Sequence, residues 1–366
     1  MPAPYMVSRL NTLSDRGSLD LTVWFNTRTT PGIHWAVDEE SWRFAHSYVP
    51  HLPLGGRSVG FPTALLRGQQ PDVLVSLHGE PSFTAGWGVA RARGIRTALW
   101  VVKTFDSWTT RREYKESLKR YIFPRTDGVF VPGRDGAAYA RSYGAHGDRI
   151  VLLPHPLDDR FTDAIASLRG DERQEVRAAL GLVGITFIYV GRLWQGKGLL
   201  TLVEAFARVQ ERVAESSLMI VGEGVERSVL EARVESLNLR NVVFAGFHQK
   251  PELPRLYAAS DVFVFPTLGD PYGLVVDEAM ACGLPVVSTS AAGEITDRIQ
   301  EGRTGFIVTP GSTEPLATKM LSFAANPGQG PALGRAARAL ISERTPERWC
   351  QQFEDGVAAM LDRRRV

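Results

Sequence analysis

Short runs of β-branched and aromatic residues alternate with helical patterns along almost the whole of this chain. That rhythm confines it to parallel sheets with helices on both faces. A first series of strands is predicted at Leu19 to Phe25, Val73 to His78, Thr97 to Lys103, Gly128 to Pro132 and Ile150 to Leu153. A second is predicted at Phe187 to Gly191, Leu218 to Val221, Val242 to Ala245, Val262 to Phe265, Pro285 to Thr289 and Phe306 to Thr309. Between them, the run P-H-P-L-D-D-R-F from Pro154 to Phe161 reads as a proline-bounded extended linker, with the next helix pattern beginning around Asp171. The expectation is an α/β protein of two Rossmann-like, doubly wound domains, at 1–160 and 161–345. Ligands of such sheets bind outside the carboxyl ends of the strands, so two facing domains would form a cleft. From Pro346 onward, Trp349, Phe353, Val357 and Met360 recur at helical spacing, so 346–366 is read as a packed terminal helix that completes the first domain.

A length of 366 residues suits two cores better than one. With 44% hydrophobic and 22% charged residues and a net charge of +2, the chain is neither disordered nor built to neutralise nucleic acid. No apolar run reaches the ~20 residues of a membrane span, and no n-region with an apolar core marks a signal peptide, so a cytoplasmic protein is expected. Cys282 and Cys350 fall on predicted helices without metal-ligand spacing, and a reducing compartment argues against a disulfide between them. The seven histidines form no H-E-x-x-H pattern, and no zinc site is expected.

Two segments carry chemistry. From Pro266 to Pro285 the chain reads P-T-L-G-D-P-Y-G-L-V-V-D-E-A-M-A-C-G-L-P, with Asp270 in a Gly/Pro loop and Glu278 about one turn inside a short helix that starts near Gly273 and is stopped by Gly283 and Pro285. Both carboxylates thus fall near a helix N-terminus, where anionic or polyhydroxylated ligands are favoured, and carboxylates accept hydrogen bonds from sugar hydroxyls. Taken alone, such a pair is equally at home on a surface loop and an ordinary amphipathic helix. The second segment, Tyr189 to Gly198, is a strand end followed by a glycine-rich turn that carries Arg192 and Lys197. Glycines let the backbone approach a phosphate, the following helix supplies N–H donors, and the two cations add a planar fork and a point charge. It lacks the G-x4-G-K-[ST] spacing of a phosphate-binding Walker loop. Likewise Gly222-Glu223-Gly224 lacks the third glycine and distant acid of a dinucleotide fingerprint.

In order along the chain stand G-R-L-x-x-x-K-G at Gly191 to Gly198, V-G-E-G at Val221 to Gly224, V-V-F-A-G-F at Val242 to Phe247, and L-x-x-L-Y-A-A-S-D-V-F-V-F-P-T ending at Thr267. They are followed by the D-x7-E segment, G-L-P-V-V-S-T-S-A-A-G from Gly283 to Gly293, and G-R-T-G-F-I-V at Gly302 to Val308. This ordered set resembles the retaining GT-B-fold glycosyltransferases of the large family numbered four, the glycosyl transferases group 1. The likeness is strong in the C-terminal half and only in outline in the N-terminal half, where such enzymes recognise the acceptor.

The resemblance implies a nucleoside-diphosphate sugar donor with a uracil or guanine base and a hydroxyl acceptor, such as a secondary metabolite or a cell-surface or lipid-linked glycan. It implies no cofactor beyond that co-substrate and no metal. Glu278 would bind the ribose hydroxyls, and Arg192 and Lys197 the departing diphosphate. Asp270 would meet the donor sugar, with backbone groups of Gly273, Leu274 and Val275, and the glycines Gly191 and Gly224, lining the donor. The base would stack within Phe244 to Pro254. Three departures stand out. Asp270 replaces the usual, longer Glu. Lys103-Thr104-Phe105-Asp106 occupies the place of a T-x-H-like run, so Asp106 is the candidate to steer the acceptor hydroxyl or accept its proton. And Pro2-Ala3-Pro4-Tyr5 stands where a first strand and glycine-rich loop are usual, so that strand reads as shortened or missing.

On the acceptor side, His78 and Glu80 fall at a predicted strand end, where loops face the ligand, although a single histidine there is commonly structural. From Trp108 to Phe123, Arg111, Arg112, Lys115, Lys119 and Arg120 interleave with Trp108, Tyr114, Leu118, Tyr121 and Ile122. That pattern suits weak contact with an anionic membrane surface or a phosphorylated acceptor, although its ordinary reading is a solvated helix face. Two other readings stand beside the transferase: a GT-B isomerase acting on the nucleotide sugar, and a donor-binding protein with little catalysis.

Overall fold

The computed structural model describes residues 4–28, 38–54, 57–60, 63–66, 68, 70–77, 81–102, 113–326 and 328–363. The chain divides into two compact units, one of Met1–Val102, Thr110–Asp158 and Arg344–Val366, the other built on Asp159–Glu343.

The first unit holds β1 (Thr22–Phe25), β2 (Ala45–Tyr48), β3 (His51–Leu54), β4 (Arg57–Gly60), β5 (Val73–Leu77), β6 (Arg96–Trp100), β7 (Gly128–Val131) and β8 (Ile150–Leu152). Strands β5 to β8 form a parallel sheet in sequence order, β1 pairs with β2 in parallel, and β3 with β4 as an antiparallel hairpin. The five strands read from the sequence are present. Those missed, β2 to β4, are short, and Pro53 withholds a ladder donor from β3. Where the sequence suggests a shortened or missing strand, the structure has the helix Pro4–Asp15, which buries Leu10 and Leu13.

The terminal helix Pro346–Asp362 starts on Thr345, whose hydroxyl accepts from the Arg348 N–H at 3.3 Å, with proline in its first turn as helix starts favour. Trp349, Phe353, Val357 and Met360 all face inward, in one cluster with Leu13, Ala98, Trp100 and Phe130. Phe353 stacks between Phe130 (centroids 4.9 Å) and Trp349 (5.4 Å). The helix lies so close to the sheet that a Cβ on Gly356 would come within 2.6 Å of the Phe130 ring. Arg9 is buried over the Trp100 and Trp349 rings and lies 2.8 Å from His155 Nδ1.

In the second unit β9 (Ile185–Val190), β10 (Ser216–Val221), β11 (Val242–Gly246), β12 (Val262–Phe265), β13 (Val286–Thr289) and β14 (Gly305–Val308) make one parallel sheet in the order β11-β10-β9-β12-β13-β14. All six were legible because β9, β10, β12 and β13 are covered on both faces and read as continuous apolar runs. The helix Leu199–Arg212 buries Leu199, Leu202, Val203, Ala205, Phe206 and Val209. The stretch read as an extended linker to Phe161 becomes helical at Asp159, because Phe161 is wholly buried, 6.2 Å from the Tyr257 ring. Strand order reverses between β9 and β12, where Phe187 is in register with Val262. There the connections leave in opposite directions, and their carboxyl ends frame a ligand crevice.

Replacing Trp349 by alanine empties the centre of this ring stack, and a loss of about 3–5 kcal/mol is expected. Urea unfolding followed by fluorescence checks it; a change below about 1 kcal/mol would show the terminal helix to be dispensable to the first unit.

Candidate active site

The loops at the carboxyl ends of β9 and β10 are built from glycines because backbone meets backbone there. A Cβ on Gly222, whose φ is +132°, would lie 2.0 Å from the Gly191 carbonyl oxygen, and one on Gly224 would lie 2.1 Å from that of Leu193. Gly191 itself (φ +152°) donates to the Val221 carbonyl at 2.9 Å, and the Leu193 N–H donates to that of Glu223 at 2.9 Å.

The turn after β9 carries the two cations differently. Arg192 is exposed, with its guanidinium 5.5 Å from the Trp194 ring. Lys197 closes the 3-10 turn Gln195–Lys197 and is largely buried. Gly198 follows in the left-handed region (φ +65°), where a Cβ would meet the Pro266 carbonyl oxygen at 2.1 Å. The Leu268 N–H and the Thr267 hydroxyl donate to the Gly196 carbonyl at 2.9 and 3.1 Å, tying this turn to the loop after β12. Across that seam the Lys197 ammonium pairs with the Asp270 carboxylate, both about one-seventh exposed (15% and 14%). The second oxygen of Asp270 accepts from the Tyr272 N–H at 2.8 Å, so the short carboxylate also closes its own turn. Tyr189, whose hydroxyl donates to the Arg192 carbonyl at 3.2 Å, has its pKa pushed well above the phenol range by burial first and the Asp270 charge second, with Arg192 opposing.

The helix Leu274–Ala281 starts on Gly273, which takes φ +72° and leaves no room for a side chain against the Phe265 ring, 2.7 Å from its Cβ position. Leu274 and Val275 lie in the first turn, where N–H groups lack intrahelical acceptors. Glu278 is 6% exposed. Its carboxylate meets Lys250 Nζ at 3.1 Å and the Tyr257 hydroxyl at 3.5 Å. Burial, and then the charge of Glu278, push the Tyr257 phenol well above its usual range. The neighbouring Asp277 faces elsewhere, bonded to the Tyr272 hydroxyl (3.0 Å) and to the buried Arg298 (3.2 Å). Removing one member of such a buried pair typically costs about 3–5 kcal/mol.

Lys197 and Asp270 are therefore in direct contact, and Glu278 reaches Val275 through Tyr257, whose hydroxyl lies 3.5 Å from the Val275 carbonyl. Arg192 comes close to this group through Tyr189 rather than by an ion pair. Sequence reasoning missed Lys250, Tyr257, Tyr189 and Arg298. Lys250 falls inside Phe244 to Pro254, the stretch expected to hold the base, so its position carried a signal although its charge went unread. Asp106, His78 and Glu80 lie outside the described residues. Among the described residues no three His, Cys, Asp or Glu side chains group as metal ligands, and no helix is long and apolar enough to cross a membrane.

A parallel sheet with a reversal point, glycine-built strand-end loops and a cation–carboxylate pair across them matches the GT-B fold. The comparisons agree. The structure of Anabaena Alr3699/HepE in complex with UDP and glucose superposes with a TM-score of 0.77 over 97% of this chain and 95% of that one, at 18% identity. Residues 184–326 match the family described as glycosyl transferases group 1. The sulfoquinovosyl transferase SQD2 of Arabidopsis thaliana is 37% identical over 153 residues, 41% of this chain and 29% of that protein. The chain thus spans under a third of the length of that relative. The GDP-mannose-dependent alpha-(1-6)-phosphatidylinositol monomannoside mannosyltransferase of Mycolicibacterium smegmatis is 29% identical over 322 residues, 81% of this chain and 82% of that one.

Both cysteines are poor nucleophiles. Burial, and then Glu278, push the Cys282 thiol far up; burial pushes Cys350 from 9.0 to about 11. A thiol with a raised pKa keeps its proton in the folded protein, so its contribution to stability is full below about pH 9 and declines as pH rises toward 11. Iodoacetamide at about pH 8 should label the folded protein at least tenfold more slowly than the urea-unfolded one. Equal rates would contradict the burial.

Proposed function

We propose that the unit built on Asp159–Glu343 binds a nucleoside-diphosphate sugar, a UDP- or GDP-sugar, and that the chain transfers the sugar to a hydroxyl acceptor with retention of configuration. The observation that carries this reading is the Lys197–Asp270 pair at the reversal point of the parallel sheet. Beside it in the sequence of the same loop and helix, Glu278 is held by Lys250 and Tyr257.

In this reading Glu278 accepts hydrogen bonds from the ribose hydroxyls, and Asp270 stands at the donor sugar with the first-turn amides of Leu274 and Val275. As the bond from the anomeric carbon to the diphosphate breaks, its electrons move onto the phosphate oxygen. Arg192 and Lys197 are the charges that meet them, fixed in place before the reaction, and the loss of one such contact commonly raises a barrier by about 3–4 kcal/mol. The acceptor oxygen then bonds the oxocarbenium-like carbon from the face the leaving group vacated, and its proton passes to the carboxylate of Asp106. With side-chain cations in that role, transfer needs no divalent metal. On the acceptor side Asp106 is assigned to the acceptor hydroxyl, and His78 and Glu80 to acceptor contacts.

Purified protein given a panel of UDP- and GDP-sugars should release nucleotide with at least one of them, unaffected by EDTA. Glu278→Ala should lower that turnover by about a hundredfold or more. Unchanged turnover in the variant would remove Glu278 from the site, and loss of activity in EDTA would restore a metal to the mechanism. Sugar-nucleotide turnover to a new sugar without acceptor would favour the isomerase instead.

The helix Glu113–Ile122 leaves Tyr114, Leu118 and Tyr121 exposed along one face, flanked by the exposed Lys115, Arg120 and Arg125. We assign this face to weak contact with an anionic membrane surface. Co-sedimentation with phosphatidylglycerol vesicles should be salt-sensitive and should fall when Lys115 and Arg120 are replaced by glutamine; no binding at low salt would refute it.

A further inference from the structure

One buried side chain in the second unit has no place in the chemistry just described, yet every hydrogen-bond donor it owns is committed to the loops that carry that chemistry. Arg298 is fully buried (0% exposed side chain). Its Nη1 donates to the Gly273 carbonyl at 3.0 Å and to Asp277 Oδ1 at 3.2 Å. Its Nη2 donates to the Gly293 carbonyl at 2.7 Å and to that of Tyr272, and its Nε to that of Glu294 at 3.3 Å. The guanidinium lies 4.3 Å over the Tyr272 ring, whose hydroxyl donates to the other oxygen of Asp277 at 3.0 Å.

Apart from Asp277, on the helix Leu274–Ala281, these partners belong to two loops, the one after β12 that carries Asp270 and the one after β13. The backbone already laces them together: the Asp270 N–H donates to the Ala291 carbonyl at 3.1 Å, and the Gly293 N–H to that of Asp270 at 2.8 Å. Both loops hold a left-handed residue, Gly273 (φ +72°) and, with a side chain, Glu294 (φ +57°). Such a conformation persists only where its surroundings over-determine it. Carbonyls converging on one point repel one another unless a cation with several directed donors sits between them. A guanidinium fills that place with a rigid planar fork, whereas an ammonium cannot reach all the acceptors at once.

Resting on the donor-site reading above, we propose that Arg298, with Tyr272 and Asp277, is a positioning residue for the donor sugar. It sets the distance of the Asp270 turn and the first-turn amides from the Lys197 turn, and so the placement of the anomeric carbon. Glu278, which makes no bond to Arg298, holds the nucleoside end through its own partners Lys250 and Tyr257. Loosening the clamp therefore disturbs the sugar while leaving the nucleotide bound.

The test uses Tyr272→Phe, which deletes one oxygen and keeps the ring beneath the guanidinium, and Arg298→Lys. For each, calorimetry gives Kd for UDP and GDP, and nucleotide release from UDP-glucose and GDP-mannose gives kcat and KM. Turnover should fall about tenfold to a hundredfold, the range a misplacement near 1 Å produces, while Kd for the free nucleotide stays within about threefold of wild type. Turnover that is unchanged, or that falls in proportion to nucleotide affinity, would overturn the positioning role. Should Arg298→Lys fail to fold, Tyr272→Phe carries the test alone. Wild-type protein that bound neither UDP nor GDP would instead overturn the donor-site reading, and this proposal with it.

Discussion

The parallel pairing of β9 with β12 is the contact on which the second unit depends. It joins two strands whose connections wind in opposite directions, and the loops that leave their carboxyl ends meet there, with Leu268 and Thr267 bonded to the Gly196 carbonyl. The Lys197–Asp270 pair spans that seam. Gly191, Gly222 and Gly224 let neighbouring loops close up behind it, and Gly198 lets the Lys197 turn settle against Pro266. Without that reversal Lys197 and Asp270, far apart in sequence, would have no common wall to face each other across.

The site's charges come in pairs. Lys197 has Asp270, Lys250 has Glu278, and Arg298 has Asp277. Half-buried ions are costly to leave alone, and pairing them holds each side chain in one place before any ligand arrives. Arg192 differs, with an aromatic face instead of a carboxylate beside it. Of these four cations it is the one whose charge no carboxylate offsets.

How much of this was legible in the sequence follows from where each signal resides. Strands buried on both faces announce themselves as apolar runs, so β9, β10, β12 and β13 could be read directly, and the edge strands β11 and β14 are apolar runs as well; β2, with the sequence A-H-S-Y, and β3, with a proline inside it, carry no such signature. The helix Pro4–Asp15 hides behind an opening rich in proline, and its reason for being helical, Leu13 and Arg9 against Trp100 and Trp349, lies at the other end of the chain. At the site, glycines and acids belonging to one contiguous motif were readable. Tyr257 and Lys250 were not, because what makes them matter is a contact with Glu278 that only the folded sheet creates. Arg298 is the clearest case: as a letter it is one basic residue among many, and its five acceptors come from two loops and a helix.

The terminal helix has a consequence for the order of events in synthesis. The chain leaves the first unit at Asp158, builds the second without interruption, and returns at Arg344. Trp349, Phe353 and Met360, which fill the core beneath β6 and β7, are thus made only after the whole of Asp159–Glu343. Multidomain chains ordinarily fold from the N-terminus as they emerge. Here the order is inverted: all of Asp159–Glu343 is available before the first unit has its last helix, so the first must keep an apolar sheet face waiting until Pro346–Asp362 has been made. That waiting face is where a chaperone would have reason to bind.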